Sequence, residues 1–301
     1  MQDRTLINTL DEAKAYAHEL SDNIISEDTD SNGEYCYVFF SSNGLNESDD
    51  ITEFMESVVD RNRYEWRSVA EPIKRNRHTG RVIFVRDVYM CFYIHGVSAR
   101  YDSIGKTIDR LRELTSDRSW KIVTAGISSG GYMAMIAGMA LHAYKIYNIS
   151  GQYSLGSRIP DIYSEFCKIN PEYGDIVPLV RDYDQAELPG KSCIYYLCPI
   201  GCDHDRQQYE LVKELGCVRT FLFPDKKHAA TVYPFSFPDI LMMSRTGLER
   251  LYDKHKGSVI NKNTFLFETM TIRGWGEFIK RTLRARFRIS LLKDAWDVKR
   301  G

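Results

Sequence analysis

The chain has 301 residues, a formal net charge of -1, 43% hydrophobic and 27% charged residues. That balance fits a globular protein with a substantial core and excludes a disordered polar chain. The near-neutral charge does not suit a nucleic-acid binder, and no apolar run approaches the roughly 18 residues that a membrane span needs.

From the N-terminus, Asp11–Ile25 carries Ala13, Ala15, Ala17, Leu20 and Ile24 on one side and predicts an amphipathic helix, with a polar turn over 26–34. Tyr35–Phe40, YCYVFF, is continuous and aromatic, as in a strand covered on both faces. It runs into Ser41-Ser42-Asn43-Gly44-Leu45 and then a helix over Ile51–Val59. Trp66–Glu71 and Arg81–Ile94 read as strand, the second as a hairpin or one long strand around Asp87 that ends in His95-Gly96. A helix over Asp102–Leu114 follows. Lys121, Ile122 and Val123 then open a short buried strand, which leads into Gly126-Ile127-Ser128-Ser129-Gly130-Gly131 and an Ala/Met-rich helix starting near Ser129. Beyond a strand at Lys145–Ile149, residues 151–190 show little periodicity and predict an insertion, a lid or substrate wall above the sheet. Ser192–Cys198 is another buried-type strand, followed by Pro199-Ile200-Gly201-Cys202-Asp203-His204-Asp205 and a helix over Arg206–Leu215. Val218–Phe223 is the last strand, followed by Pro224-Asp225-Lys226-Lys227-His228, and a helix is expected over Phe237–Lys256.

Strand, Gly-x-Ser-x-Gly, helix is the pattern of a nucleophile elbow. Gly126 and Gly130 relieve the crowding of so tight a turn, Ser128 is the candidate nucleophile, and the helix N-terminus faces the reacting centre. A serine hydroxyl needs a base within hydrogen-bond reach and an acid to orient that base. His228, just past the last strand and followed by small alanines, meets the requirement best; His204 is second and His95 third. For the acid, Asp203 is preferred. Asp205 is the runner-up, because Asp205-x-x-Gln208 reads as a capping box that gives it a structural role; Asp225 comes after both. The oxyanion donors expected are the Ser129 N–H and one N–H from Ser42-Asn43-Gly44, with His95-Gly96 as the rival loop. The seven cysteines, at 36, 91, 167, 193, 198, 202 and 217, suit reduced thiols in a cytosolic protein, and no metal site is expected.

With these motifs in order, the chain resembles the α/β-hydrolase superfamily over roughly residues 35–240. FFSSNGL, GISSGGYMAMIAG, NISGQYSL and the late His further resemble serine-hydrolase-like proteins encoded with bacterial capsule and surface-glycan biosynthesis enzymes. The resemblance implies an α/β fold with a mostly parallel sheet covered on both faces. It also implies O-acetyl transfer to a capsular or surface polysaccharide, with no bound cofactor and acetyl-CoA as acyl donor. A carboxylesterase or deacetylase is the near alternative, and a non-catalytic scaffold of a glycan-assembly complex the alternative of another class. The His-Gly-Gly-Gly oxyanion loop of lipases is absent; SSNG stands in its place.

The expected division is a catalytic domain at 1–240 and a helical basic extension at 241–301. Arg273–Arg300 carries nine basic and three acidic residues, with Trp275, Ile279, Leu283, Phe287 and Leu291 recurring every four positions. Such a stripe predicts either a helix docked on the core or contact with an anionic membrane surface or anionic polymer. The corresponding location is cytoplasmic, with the inner face of the membrane as a peripheral site. The partner expected at the catalytic centre is a glycan or an acyl ester.

Overall fold

The computed structural model describes residues 7–46, 50–156, 168, 170–188, 190–272, 274–276 and 279. Among them, β1 (Ile24–Asp28), β2 (Tyr35–Phe40), β3 (Thr79–Val85), β4 (Lys121–Ile127), β5 (Lys145–Ile149), β6 (Ile194–Pro199) and β7 (Val218–Phe223) form one sheet in the order β1-β3-β2-β4-β5-β6-β7. Every pairing is parallel except the β1 edge, which runs antiparallel to β3 with Asp28 opposite Arg81. The central strands are buried along almost their whole length because both faces are covered.

The two faces separate by alternation along β2. Cys36, Val38 and Phe40 enter one core with α4 (Ile104–Leu114), α5 (Ser129–Ala140), α6 (Pro171–Gly174), α7 (Val177–Gln185) and α8 (Asp203–Val212). Tyr37 and Phe39 enter the other with α3 (Arg67–Lys74), α9 (Phe237–Met242), α10 (Arg245–His255) and α11 (Lys262–Thr269). A smaller cluster beneath α1 (Leu10–Leu20) and α2 (Ile51–Phe54), the latter continuing as a π-helical segment Met55–Asp60, joins them. This is an α/β fold, a mostly parallel sheet with helices on both sides. The boundary expected after residue 240 falls inside α9, and Leu248, Leu251, Ile260 and Phe265 from beyond it lie in the second core. At the N-terminal end of β5, Lys145 is 1% exposed and donates to the Leu241 and Met243 carbonyls, while Tyr147 donates to Ile240. These bonds satisfy the carbonyl end of α9, and burial lowers the Lys145 pKa to about 7.

Four expectations are corrected. The first helix stops at Leu20: Asn23 takes a left-handed φ of 54° and its amide binds the Ala17 and Val97 carbonyls, so Ile24–Asp28 can leave as an edge strand. Trp66–Glu71 is no strand, since Arg67–Lys74 is helical with Ala70 and Ile73 buried one turn apart. β3 ends at Val85, because the buried Asp87 carboxylate gathers the N–H groups of Tyr89, Met90, Cys91 and Tyr93 into a knot of turns. The single helix expected over Phe237–Lys256 is two, with Ser244 capping the second.

Candidate active site

The end of β4 is built for close approach. A Cβ on Gly126 would stand 2.1 Å from the Gly130 carbonyl oxygen, and one on Gly130 would stand 2.3 Å from that of Phe40. Ser128 between them adopts φ 53° and ψ -120°, a conformation costing about 1–3 kcal/mol that persists only where the surroundings enforce it. Its N–H donates to Ile149 and its carbonyl accepts from Tyr132, which fixes the turn against β5 and α5. The hydroxyl is left clear at the N-terminus of α5, where the helix dipole is positive.

The loops after β6 and β7 meet over that hydroxyl. Gly201 lets them touch, since a Cβ there would lie 2.6 Å from the Pro224 and Asp225 carbonyls. His228, from the second loop, places Nε2 2.9 Å from Ser128 Oγ. Its Nδ1 lies 2.9 and 3.1 Å from the two carboxylate oxygens of Asp205, which is 0% exposed. An ionised carboxylate can only accept, so Nδ1 carries the proton and Nε2 is the free lone pair facing the serine hydroxyl.

Asp203 does not take that position. Its side chain is 81% exposed and binds Arg206, one turn further along α8. The helix begins earlier than the sequence predicts, with Cys202 as N-cap, so Asp205 is the third helical residue and faces inward instead of capping the helix. Asp225 is paired with Lys262. His204 lies behind His228, with ring centroids 5.9 Å apart, and its Nε2 is 3.3 Å from Gln152 Nε2. The His95 carbonyl is bonded to His18, and a Cβ on Gly96 would collide with Tyr101.

The SSNG segment lies against the elbow. Ser129 Oγ donates to Asn43 Oδ1 at 2.8 Å. The Ser42 N–H is taken by Glu65, the Gly44 N–H by Ser42 Oγ and the Leu45 N–H by the Ser42 carbonyl. Among the described residues this leaves the Asn43 N–H unpaired in the loop, and the Ser129 N–H unpaired at the helix N-terminus. Of the three residues expected to supply the second donor, Ser42 and Gly44 are thereby committed elsewhere. Glu65 and Gln152 were not anticipated; Glu65 sits in a stretch without a motif, and Gln152 lies within NISGQYSL, where nothing in the pattern singles it out.

One group of side chains among the described residues has metal-ligand character. Cys202 Sγ, an Asp205 oxygen and a His228 nitrogen lie within 4.8 Å of one another. Asp205 and His228 already satisfy each other and Ser128, so an ion there would compete with that chain of bonds. Within the expected insertion, α6 is pinned to α5 by the Tyr132 hydroxyl on the Tyr173 carbonyl. Residues 157–167, and nearly all of the basic Arg273–Arg300 stretch, lie outside the described residues.

No protein-family model matches the sequence, and no curated protein does. Among solved structures, the capsule O-acetyltransferase of Neisseria meningitidis serogroup A aligns at 14% identity, 66% of this chain, 82% of that chain and a TM-score of 0.43. Another structure of that enzyme is a complex with CoA. MenH from S. aureus aligns at 10% identity, 77% and 99% coverage and a TM-score of 0.42. An esterase/lipase from an uncultured bacterium aligns at 11% identity, 84% and 92% coverage and 0.38.

Proposed function

We propose that the protein transfers acyl groups through an ester on Ser128. The observation that carries this reading is the continuous Ser128–His228–Asp205 chain of bonds, 2.9 Å on each side of the imidazole. His228 takes the Ser128 proton as Oγ attacks the acyl carbon, and the imidazolium is stabilised by Asp205. The developing oxyanion is received by the N–H groups of Ser129 and Asn43. His228 then protonates the leaving thiolate or alkoxide, and in the second half-reaction it deprotonates the acceptor.

The finer reading is O-acetyl transfer from acetyl-CoA to a hydroxyl of a bacterial surface polysaccharide. It is supported by the resemblance of FFSSNGL, GISSGGYMAMIAG and NISGQYSL to proteins of that class. The chain is incubated with acetyl-CoA or an acetyl ester, with and without oligosaccharide, and analysed by mass spectrometry. Wild type is expected to gain one acetyl on the Ser128 peptide, and Ser128→Ala none. Oligosaccharide is expected to raise CoA release and to gain acetyl mass. Acetate release untouched by oligosaccharide would make the protein a carboxylesterase, and no adduct with no turnover would leave the scaffold reading.

A further inference from the structure

We propose that Glu65 is a positioning residue for the oxyanion site: through Ser42 it sets the direction of the Asn43 N–H. The proposal rests on the Ser128 reading above. The exit of β2 is held at three consecutive residues by side chains from outside the strand. Trp66 Nε1 donates to the Phe40 carbonyl at 2.9 Å, and the Tyr93 hydroxyl donates to that of Ser41 at 2.7 Å. Glu65 accepts from the Ser42 N–H at 2.6 Å and from its hydroxyl at 2.9 Å. The first two contacts hold the carbonyls of the last strand residue and the one after it. The third reaches into the loop that carries the donor.

Its consequence follows from what a carboxylate can do. It only accepts, so the Ser42 hydroxyl proton is committed to Glu65 and its lone pairs face the other way, where the Gly44 N–H binds at 3.0 Å. The N–H groups before and after Asn43 are thus both fixed from one carboxylate, and the peptide between them loses its freedom to rotate. The Asn43 side chain is tied to Ser129 at 2.8 Å, so the two donor residues are fixed relative to each other. An oxyanion site is effective to the extent that its donors need no reorganisation during the reaction. Glu65 touches neither the reacting atoms nor Ser128; it supplies that fixity.

The test uses full-length protein, an acetyl ester, and a small alkylboronic acid whose adduct with a serine mimics the tetrahedral state. Glu65→Ala is expected to lower kcat about 10- to 100-fold, short of the loss of a whole oxyanion donor. KM should stay within about 2-fold, since the interaction is made only in the transition state. Boronate affinity should fall by about the same factor as kcat/KM. Glu65→Gln keeps one acceptor oxygen but turns an amide NH2 toward the other donor, and should fall between wild type and alanine. It also serves if the alanine variant does not fold. Glu71→Ala, six residues further on at the surface and paired with Lys74 and Arg75, should leave all three readouts unchanged. Unchanged kcat and boronate affinity in Glu65→Ala or Glu65→Gln, beside a wild type that acylates Ser128, overturns this proposal alone. So does a loss that disappears once rates are normalised to the fraction of protein that forms acyl-enzyme. A wild type that never acylates Ser128 overturns the underlying reading together with it.

Discussion

The two sides of the proposed site are built on different principles. On the serine side, position is set by backbone against backbone: β4, β2 and the start of α5 approach so closely that Gly126 and Gly130 admit no side chain. On the acid–base side, position is set by hydrogen bonds between side chains on two loops, with room for neighbours such as Cys202 and His204. A steric requirement tolerates one residue type, whereas a hydrogen bond from a loop can be met by several residues at several positions. The first kind of site therefore announces itself in a sequence, and the second is decided by where a helix happens to start.

The largest expected effect breaks the acid–base side. Asp205→Asn should lower kcat/KM on an acetyl ester about 10³- to 10⁴-fold, because the amide stabilises the wrong histidine tautomer. Asp203→Asn, on an exposed side chain, should stay within about 2-fold, as surface substitutions away from a site generally do. The reverse order in the same assay would move the acid back to Asp203. Next in size, Gly130→Ala sharpens the steric argument. The new methyl must push β2 and α5 apart, with an expected stability loss of about 1–3 kcal/mol, as for overpacking. Activity should fall more than the loss of folded protein explains, because Ser129 and Asn43 separate. Urea titration and kcat, measured on one preparation, check both; wild-type activity would refute the close approach.

The smallest effect lies remote from both sides, at Lys145. Its pKa is depressed by burial from 10.5 to about 7, so between those values the unfolded chain holds a proton that the folded one lacks. Stability should therefore rise with pH through that window, by up to about 1.4 kcal/mol per unit, and the cost of charging the buried amine is fully present below it. Urea midpoints from pH 7 to 8.5 are expected to rise more steeply in wild type than in Lys145→Met, with kcat alike in both. Parallel curves would show that the amine is not held neutral.

The same contrast explains what was legible beforehand. Tyr35–Phe40 and the Lys121-Ile122-Val123 start of β4 read correctly because these strands are covered on both faces, and Val218–Phe223 through its apolar Phe221-Leu222-Phe223 end, although Arg219 and Thr220 are only partly buried. The edge strand Ile24–Asp28 did not, since half of it faces water and its Ser-Glu-Asp end looks like a turn. Trp66 looked like strand because of its bulk, whereas it packs on Phe39 and Phe237 just before a helix, with its indole N–H on the Phe40 carbonyl. Tyr89 to Tyr93 is aromatic enough for a strand, and only the four N–H bonds to Asp87 show why it folds into turns. At the site, Ser128 and His228 stood out through the glycines and the strand ends. Of the two acids weighed, the geometry brings Asp205 and not Asp203 to His228, because two residues of helix register reverse which one faces inward. Glu65 was invisible, being linked to Ser42 only through the third dimension.

The bonds that join the site span long stretches of chain: 100 residues between Ser128 and His228, and 86 between Ser129 and Asn43. Parallel pairings over such separations form late, since loop entropy is lost before the contacts repay it. A growing or refolding chain would thus acquire its helices and a reactive-looking serine well before it acquires a base to activate it. After dilution from denaturant, helical signal should return first and ester turnover last. The protein would remain inert toward the acyl donors around it until the final strand has docked.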